Sequence, residues 1–128
     1  MTYIVDTHIL IWFLNGDSRL KQKHYKILVD NKNNFVFSTI ILAEIKHLIQ
    51  LKRINVQYEK VIEYLSELSN CVIYPVDELV IEQMPGGLNI HDAIIVATGL
   101  VYKNVLGEEI QIITADKTII RSRILPVA

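Results

Sequence analysis

The chain alternates between short apolar runs rich in β-branched residues and longer segments in which apolar positions recur every three or four residues. "YIV" (3–5) reads as a buried strand, ended abruptly by Asp6. "THILIWFLN" (7–15) suits a helix stopped by Gly16, with "NGDS" as the turn. In "KQKHYKILVDN" (21–31), Tyr25, Leu28 and Val29 lie at helical spacing. "FVFS" (35–38) is a second strand, and Ser38 or Thr39 can cap the helix "IILAEIKHLIQLKR" (40–53). "YEKVIEYLSEL" (58–68) is amphipathic: Val61, Ile62, Leu65 and Leu68 form one stripe, with Glu59, Lys60, Glu63 and Glu67 opposite. "CVIYPV" (71–76) is a third strand, and Pro75 marks its end or a sheet edge. "DELVIEQM" (77–84) forms a short helix broken by the turn "PGG". "HDAIIVATGLVYKN" (91–104) is a longer helix, "IQIIT" (110–114) a fourth strand and "KTIIRS" (117–122) a helical turn. "ILPV" (124–127) offers an edge strand.

Strands alternate with helices, and no repeat, linker or low-complexity stretch interrupts them. The expected fold is α/β, a three-layer sandwich with a mostly parallel central sheet and helices on both faces. Residues 1–128 are expected to form one domain, long enough to bury most of its apolar surface.

Composition narrows the setting. Hydrophobic residues make up 51% of the chain, yet the longest strictly apolar run, Ile9–Leu14, is far below the roughly 20 residues of a membrane helix. Asp6 and His8 interrupt the N-terminal apolar character, which does not read as a signal peptide. Cys71 is alone and fits a reducing, cytoplasmic location. With 13 basic and 14 acidic side chains, nothing attracts nucleic acid globally, so any such binding depends on a local patch. The densest basic stretch is "KHLIQLKR", with Lys46, Lys52 and Arg53; Arg121 and Arg123 form a smaller group. A solvated helix face explains the larger stretch more readily than an RNA-binding patch.

The acids change the picture. Asp6 follows the first strand, and Asp116 comes two residues after "IQIIT". Asp92 opens the helix "DAIIVATGLVY", and Glu44 sits in the second turn of the helix entered from "FVFS". In a parallel sheet, strand carboxyl ends and helix amino ends share one edge, so all four acids project toward one rim, where ligands bind in such folds. Taken singly, Asp6 and Asp92 could be plain helix caps and Asp116 a turn residue. Glu44, set among "IILA" and Ile45, is harder to explain without a role, because an unpartnered buried Glu is costly. Converging carboxylates repel, and a divalent ion removes the conflict. An all-oxygen donor set favours Mg²⁺ or Mn²⁺, ions suited to phosphoryl oxygens and water activation.

"YIVDTHILIWFL", "STIILAEI", "HDAIIVATG" and "IQIITAD", in this order and spacing, resemble the PIN domain, in particular the VapC-type ribonuclease toxins of toxin–antitoxin pairs. The resemblance spans Tyr3 to Arg123 and is weakest between Asn55 and Gly87. It implies a Rossmann-like α/β/α sandwich, Mg²⁺- or Mn²⁺-dependent endonucleolytic cleavage of RNA, homodimers, and inhibition by a cognate antitoxin. Carried over by motif, the catalytic acids are Asp6, Glu44, Asp92 and Asp116. Asp6 and Asp92 are the principal metal ligands, and Asp116 ligates directly or through water. Glu44 completes the site and helps orient the attacking water. Thr7 and Thr114 fall where relatives often have a hydroxyl that can bond these carboxylates. Many relatives carry Arg after the third acid, where this chain has Ala93; either that contact is missing or Arg121 or Arg123 replaces it.

Other residues read more plainly. His91 and His8 are packing or capping residues, and His47 is a less favoured neighbour of Glu44. Trp12 and Phe13 are core or dimer-contact residues before they are base-stacking platforms. A housekeeping RNA-processing nuclease is the nearest alternative function. An Asp phosphoacceptor module, which needs a paired acid near the first strand and a Lys after the last, and a non-catalytic binding module are the alternatives of other classes.

Overall fold

The computed structural model describes all residues from Met1 to Ala128. Four strands, β1 (Thr2–Val5), β2 (Asn34–Ser38), β3 (Cys71–Tyr74) and β4 (Ile110–Ile113), form one all-parallel sheet in the order β3-β2-β1-β4. The helices are α1 (Thr7–Asn15), α2 (Gln22–Val29), α3 (Thr39–Gln50), α4 (Tyr58–Glu67), α5 (Glu78–Glu82), α6 (Ile90–Leu100) and α7 (Lys117–Ser122). Element bounds fall within a few residues of those expected from sequence. The long helix expected at 91–104 divides, because α6 passes into a π-helical turn at Val101–Val105. "ILPV" contributes only a bridge: Val127 pairs with Ile112, tied by Ile112 N–H to the Pro126 carbonyl at 2.9 Å.

Strand residues face helices on both sides, which is why the central strands read as unbroken apolar runs rather than alternating ones. Ile4, Val5, Val36, Ile112 and Ile113 are all but inaccessible, and Ile9, Ile41, Ile45, Leu65 and Ile95 close over them. A smaller cluster of Val80, Ile94, Ala97 and Val101 joins α5 to α6. Gly16 ends α1 in the left-handed conformation (φ 60°) and returns its N–H to the Phe13 and Trp12 carbonyls, so the chain turns sharply where a side chain would be strained.

The topology fixes where a ligand can sit. The connections β1 to β2 and β2 to β3 step the chain one way across the sheet. The connection from β3 to β4 then returns past β1 to its far side. The strand order therefore reverses between β1 and β4, and the crevice beyond the carboxyl ends of those strands is the binding position for such sheets.

Candidate active site

Asp6 is the first residue past β1 and the N-cap of α1. The residue is 6% exposed. Oδ1 accepts the Thr7 N–H at 2.7 Å, and Oδ2 accepts the Thr114 hydroxyl at 2.6 Å. Burial pushes its pKa above the ordinary carboxylate value, and the bonds from Thr114 and Thr7 oppose that push. Asp6 is thus held at the switch point by the first residue of α1 and by the residue that follows β4.

Thr114, the last residue before the β4 turn, also accepts the Asp116 N–H on its hydroxyl oxygen at 3.0 Å. Asp116, expected as a turn residue if not a ligand, is the N-cap of α7. Its Oδ1 accepts the N–H groups of Thr118 (2.8 Å) and Ile119 (3.0 Å). Oδ2 carries no protein partner.

Asp92 does not cap its helix, as its place at the start of the apolar run suggested. Asn89 does, accepting the Asp92 N–H at 2.9 Å, while its own amide donates to Asp92 Oδ2 at 2.8 Å. Asp92 thus occupies the third helical position, with its backbone N–H capped and its carboxylate held by the same Asn89 side chain. Burial first, then the negative charges of Asp116 and Asp6, hold the Asp92 pKa up. Asp92 is therefore near enough to Asp6 and to Asp116 to be repelled by both.

Glu44 comes from α3 and is half-buried. Its Oε1 accepts the Thr7 hydroxyl at 2.9 Å, and its Oε2 lies 3.8 Å from His91 Nδ1. Thr7 therefore touches two site acids, Asp6 through its N–H and Glu44 through its hydroxyl. The fold brings all four sequence-predicted acids onto the wall of one open cleft of about 720 Å³.

The family model of the PIN domain matches residues 3–123. The chain belongs to the PIN domain family. Two solved structures share the fold of this PIN domain across its whole length. VapBC2 from Rickettsia felis, bound to a DNA fragment from their promoter, is 17% identical with a TM-score of 0.68, covering 100% of this chain and 98% of that one. VapBC-1 from nontypeable Haemophilus influenzae is 23% identical with a TM-score of 0.63, covering 100% and 97%. Identities this low speak to fold alone. No curated protein sequence matches the chain. No helix of this PIN domain is long and apolar enough to cross a membrane.

Several residues around the cleft of the PIN domain stand elsewhere than sequence suggested. His8 and His91 are exposed and line the cleft instead of packing or capping. His47 joins them with Glu44 along a second groove of about 380 Å³. Trp12 packs partly on the core but also lines the cleft, whereas Phe13 faces Tyr25 and Tyr64. Ala93 is buried, and neither Arg121 nor Arg123 reaches the cleft wall. Its sole guanidinium or ammonium is Arg19, a residue the sequence did not single out. Lys46, Lys52 and Arg53 do not line the cleft, and the Lys46 amine sits over the Tyr58 ring at 4.9 Å.

Proposed function

We propose that this PIN domain is a Mg²⁺- or Mn²⁺-dependent endoribonuclease that hydrolyses RNA phosphodiester bonds, acting as the toxin of a toxin–antitoxin pair. The observation that carries this reading is the convergence of Asp6, Glu44, Asp92 and Asp116 on one cleft at the strand-order reversal. The VapBC complexes with which it shares its fold support a cognate antitoxin as partner. A homodimer is the assembly we assign.

The donor set suits a hard cation. Asp6, Asp92 and Asp116 present oxygens only, and Asp92 Oδ1 and Asp116 Oδ2 are left without protein donors. Burial pushes the Asp6 and Asp92 carboxyls up from the ordinary value, and neighbouring acids add to it, so a cation would relieve both. An all-oxygen donor set favours Mg²⁺ or Mn²⁺, which retain water and need few protein ligands, over Zn²⁺, whose usual sets include His or Cys. When bound, the cation would polarise phosphoryl oxygens and lower the pKa of a water.

The protein's own part is positioning. Thr114 and Thr7 fix Asp6, Asn89 fixes Asp92, and the first turn of α7 fixes Asp116. Glu44, steadied by Thr7, is the acid placed to orient a water and accept its proton. An Asp phosphoacceptor role is disfavoured, because no second acid stands beside Asp6 after the first strand and no lysine lines the cleft.

The test is cleavage of a mixed RNA pool by purified protein in Mg²⁺, Mn²⁺ or EDTA, beside Asp92→Asn. Metal-dependent cleavage that is lost in the variant is expected. An intact pool after incubation with folded, antitoxin-free protein would overturn the proposal.

A further inference from the structure

An acidic cleft repels the polyanion it is meant to receive. A cation bound to the carboxylates offsets this at the scissile phosphate only; the neighbouring phosphates still need a positive group. The cleft wall has one, Arg19, and its setting is unusual for an exposed residue. The guanidinium carbon stands 5.2 Å from the centre of the Trp12 ring. Arg19 Nε donates to both carboxylate oxygens of Asp17 at 3.2 Å, and Nη2 donates to Oδ2 at 2.8 Å. The Arg19 N–H also donates to Asp17 Oδ1 at 2.9 Å, which closes the turn after Gly16. The His8 ring flanks the same indole at 6.1 Å.

An exposed ion pair of this kind contributes little to stability. Here it directs the guanidinium. Asp17 takes the Nε edge, and Trp12 supports one face. Both hydrogens of Nη1 and one of Nη2 are left for another acceptor. Planar, prearranged donors of this sort match phosphate oxygens.

We propose that Arg19, held by Trp12 and Asp17, is the binding residue for an RNA phosphate flanking the scissile one. This rests on the endoribonuclease reading above. Arg19 touches the substrate, whereas Trp12 is a positioning residue that acts through it. The contact is with backbone and carries no sequence preference of its own.

The experiment measures affinity for a single-stranded oligoribonucleotide of mixed sequence across a range of KCl, in an Asp92→Asn background that leaves the RNA intact. Each phosphate contact on a single strand contributes about 0.7 to the slope of log affinity against log salt. Arg19→Gln should flatten the slope by about that amount. Between 50 and 200 mM salt the parent should then lose about 2.6-fold more affinity than the variant. Arg19→Lys should keep the slope with weaker binding. Trp12→Leu should also keep the slope while lowering affinity, and Trp12→Phe should restore part of it. With Asp92 intact, Arg19→Gln should raise KM with little change in kcat. An unchanged slope in Arg19→Gln, with RNA still bound and cleaved, would overturn this assignment and leave the nuclease reading standing. Absence of both binding and cleavage in the parent would overturn the two together.

Discussion

Replacing Thr114 by Val keeps the shape of the side chain and removes one hydroxyl that serves two acids. That hydroxyl donates to Asp6 Oδ2 at 2.6 Å and accepts the Asp116 N–H at 3.0 Å, at a position 2% exposed. A hydrogen bond to a charged group contributes about 1.5–3 kcal/mol, and a stranded N–H adds to the loss. The expected cost near neutral pH is therefore about 2–3 kcal/mol. For 128 residues, unfolding entropy of about 2.1 cal/mol/K per residue gives about 0.27 kcal/mol/K, so Tm should fall by about 7–11 °C. Thr114→Ser, which retains the hydroxyl, should cost about 1 kcal/mol or less. The effect also has a pH signature. Thr114 favours the ionised form of Asp6, so the variant's Asp6 titrates higher than the parent's. Between those two values the native variant binds the extra proton, and the gap in stability widens as pH rises and narrows as it falls. Urea denaturation followed by circular dichroism in EDTA, near neutrality and in mild acid, measures both. A Val variant within about 0.5 kcal/mol of the parent, or a Ser variant as damaged as Val, would refute the reasoning.

Three other outcomes follow from single features. Because the Asp92 pKa is raised by burial and by Asp116 and Asp6, the metal-free parent should gain stability as pH falls through that raised value toward 3.8, while Asp92→Asn should lack this gain. Added Mg²⁺ should raise the parent's Tm more than the variant's, and equal shifts would count against Asp92 as a ligand. A methyl on Gly99 would stand 2.5 Å from Leu125 Cδ1. Crowding should outweigh the helix propensity gained, so Gly99→Ala should lose about 1 kcal/mol in denaturant titration, and a stabilised variant would sink the argument. The Cys71 thiol, half-buried, is pushed up to about 11 from an ordinary 9.0. Its alkylation by iodoacetamide in mild base should run about 100-fold slower than that of an unfolded cysteine peptide, and a comparable rate would contradict the burial.

Much of the architecture was legible because it is written in local signals. β-branched runs ended by Asp6, Ser38 and Pro75, and helices stopped by Gly16, describe a βα alternation whose edge collects the acids. What sequence misread depended on a partner distant along the chain or on competing local signals. "NIHD" offers two capping residues three apart; Asn89 took the cap, and Asp92 was left facing the cleft. His91 reads from its own segment as a packing or capping residue, yet it meets Glu44 from α3. Arg19 was invisible for the same reason. Nothing in "NGDSR" shows that the turn after α1 folds back over Trp12. An indole seven residues upstream of an Arg, with an intervening Gly stop, is the one signal of this contact in the sequence.

The choice of supporting groups explains why the site stays usable. The hydrogen-bond donors on the four acids are neutral: the Thr114 hydroxyl on Asp6, the Thr7 hydroxyl on Glu44, the Asn89 amide on Asp92 and backbone N–H groups on Asp116. A lysine or arginine in any of these places would hold its carboxylate more firmly, but it would also cancel the charge a cation needs. Neutral donors fix direction and leave the charge. Repulsion among the acids then goes uncompensated in the metal-free protein, and the stability to bear it has to come from elsewhere. It comes from the segments on either side of Asp6, where Ile4 and Val5 precede it, Ile9, Leu10 and Ile11 follow, and none is more than 3% exposed. The cleft's one guanidinium is kept off the acids by Asp17 and Trp12. On the reading proposed above, the guanidinium offered to phosphate and the carboxylates offered to metal share one cleft without pairing with each other.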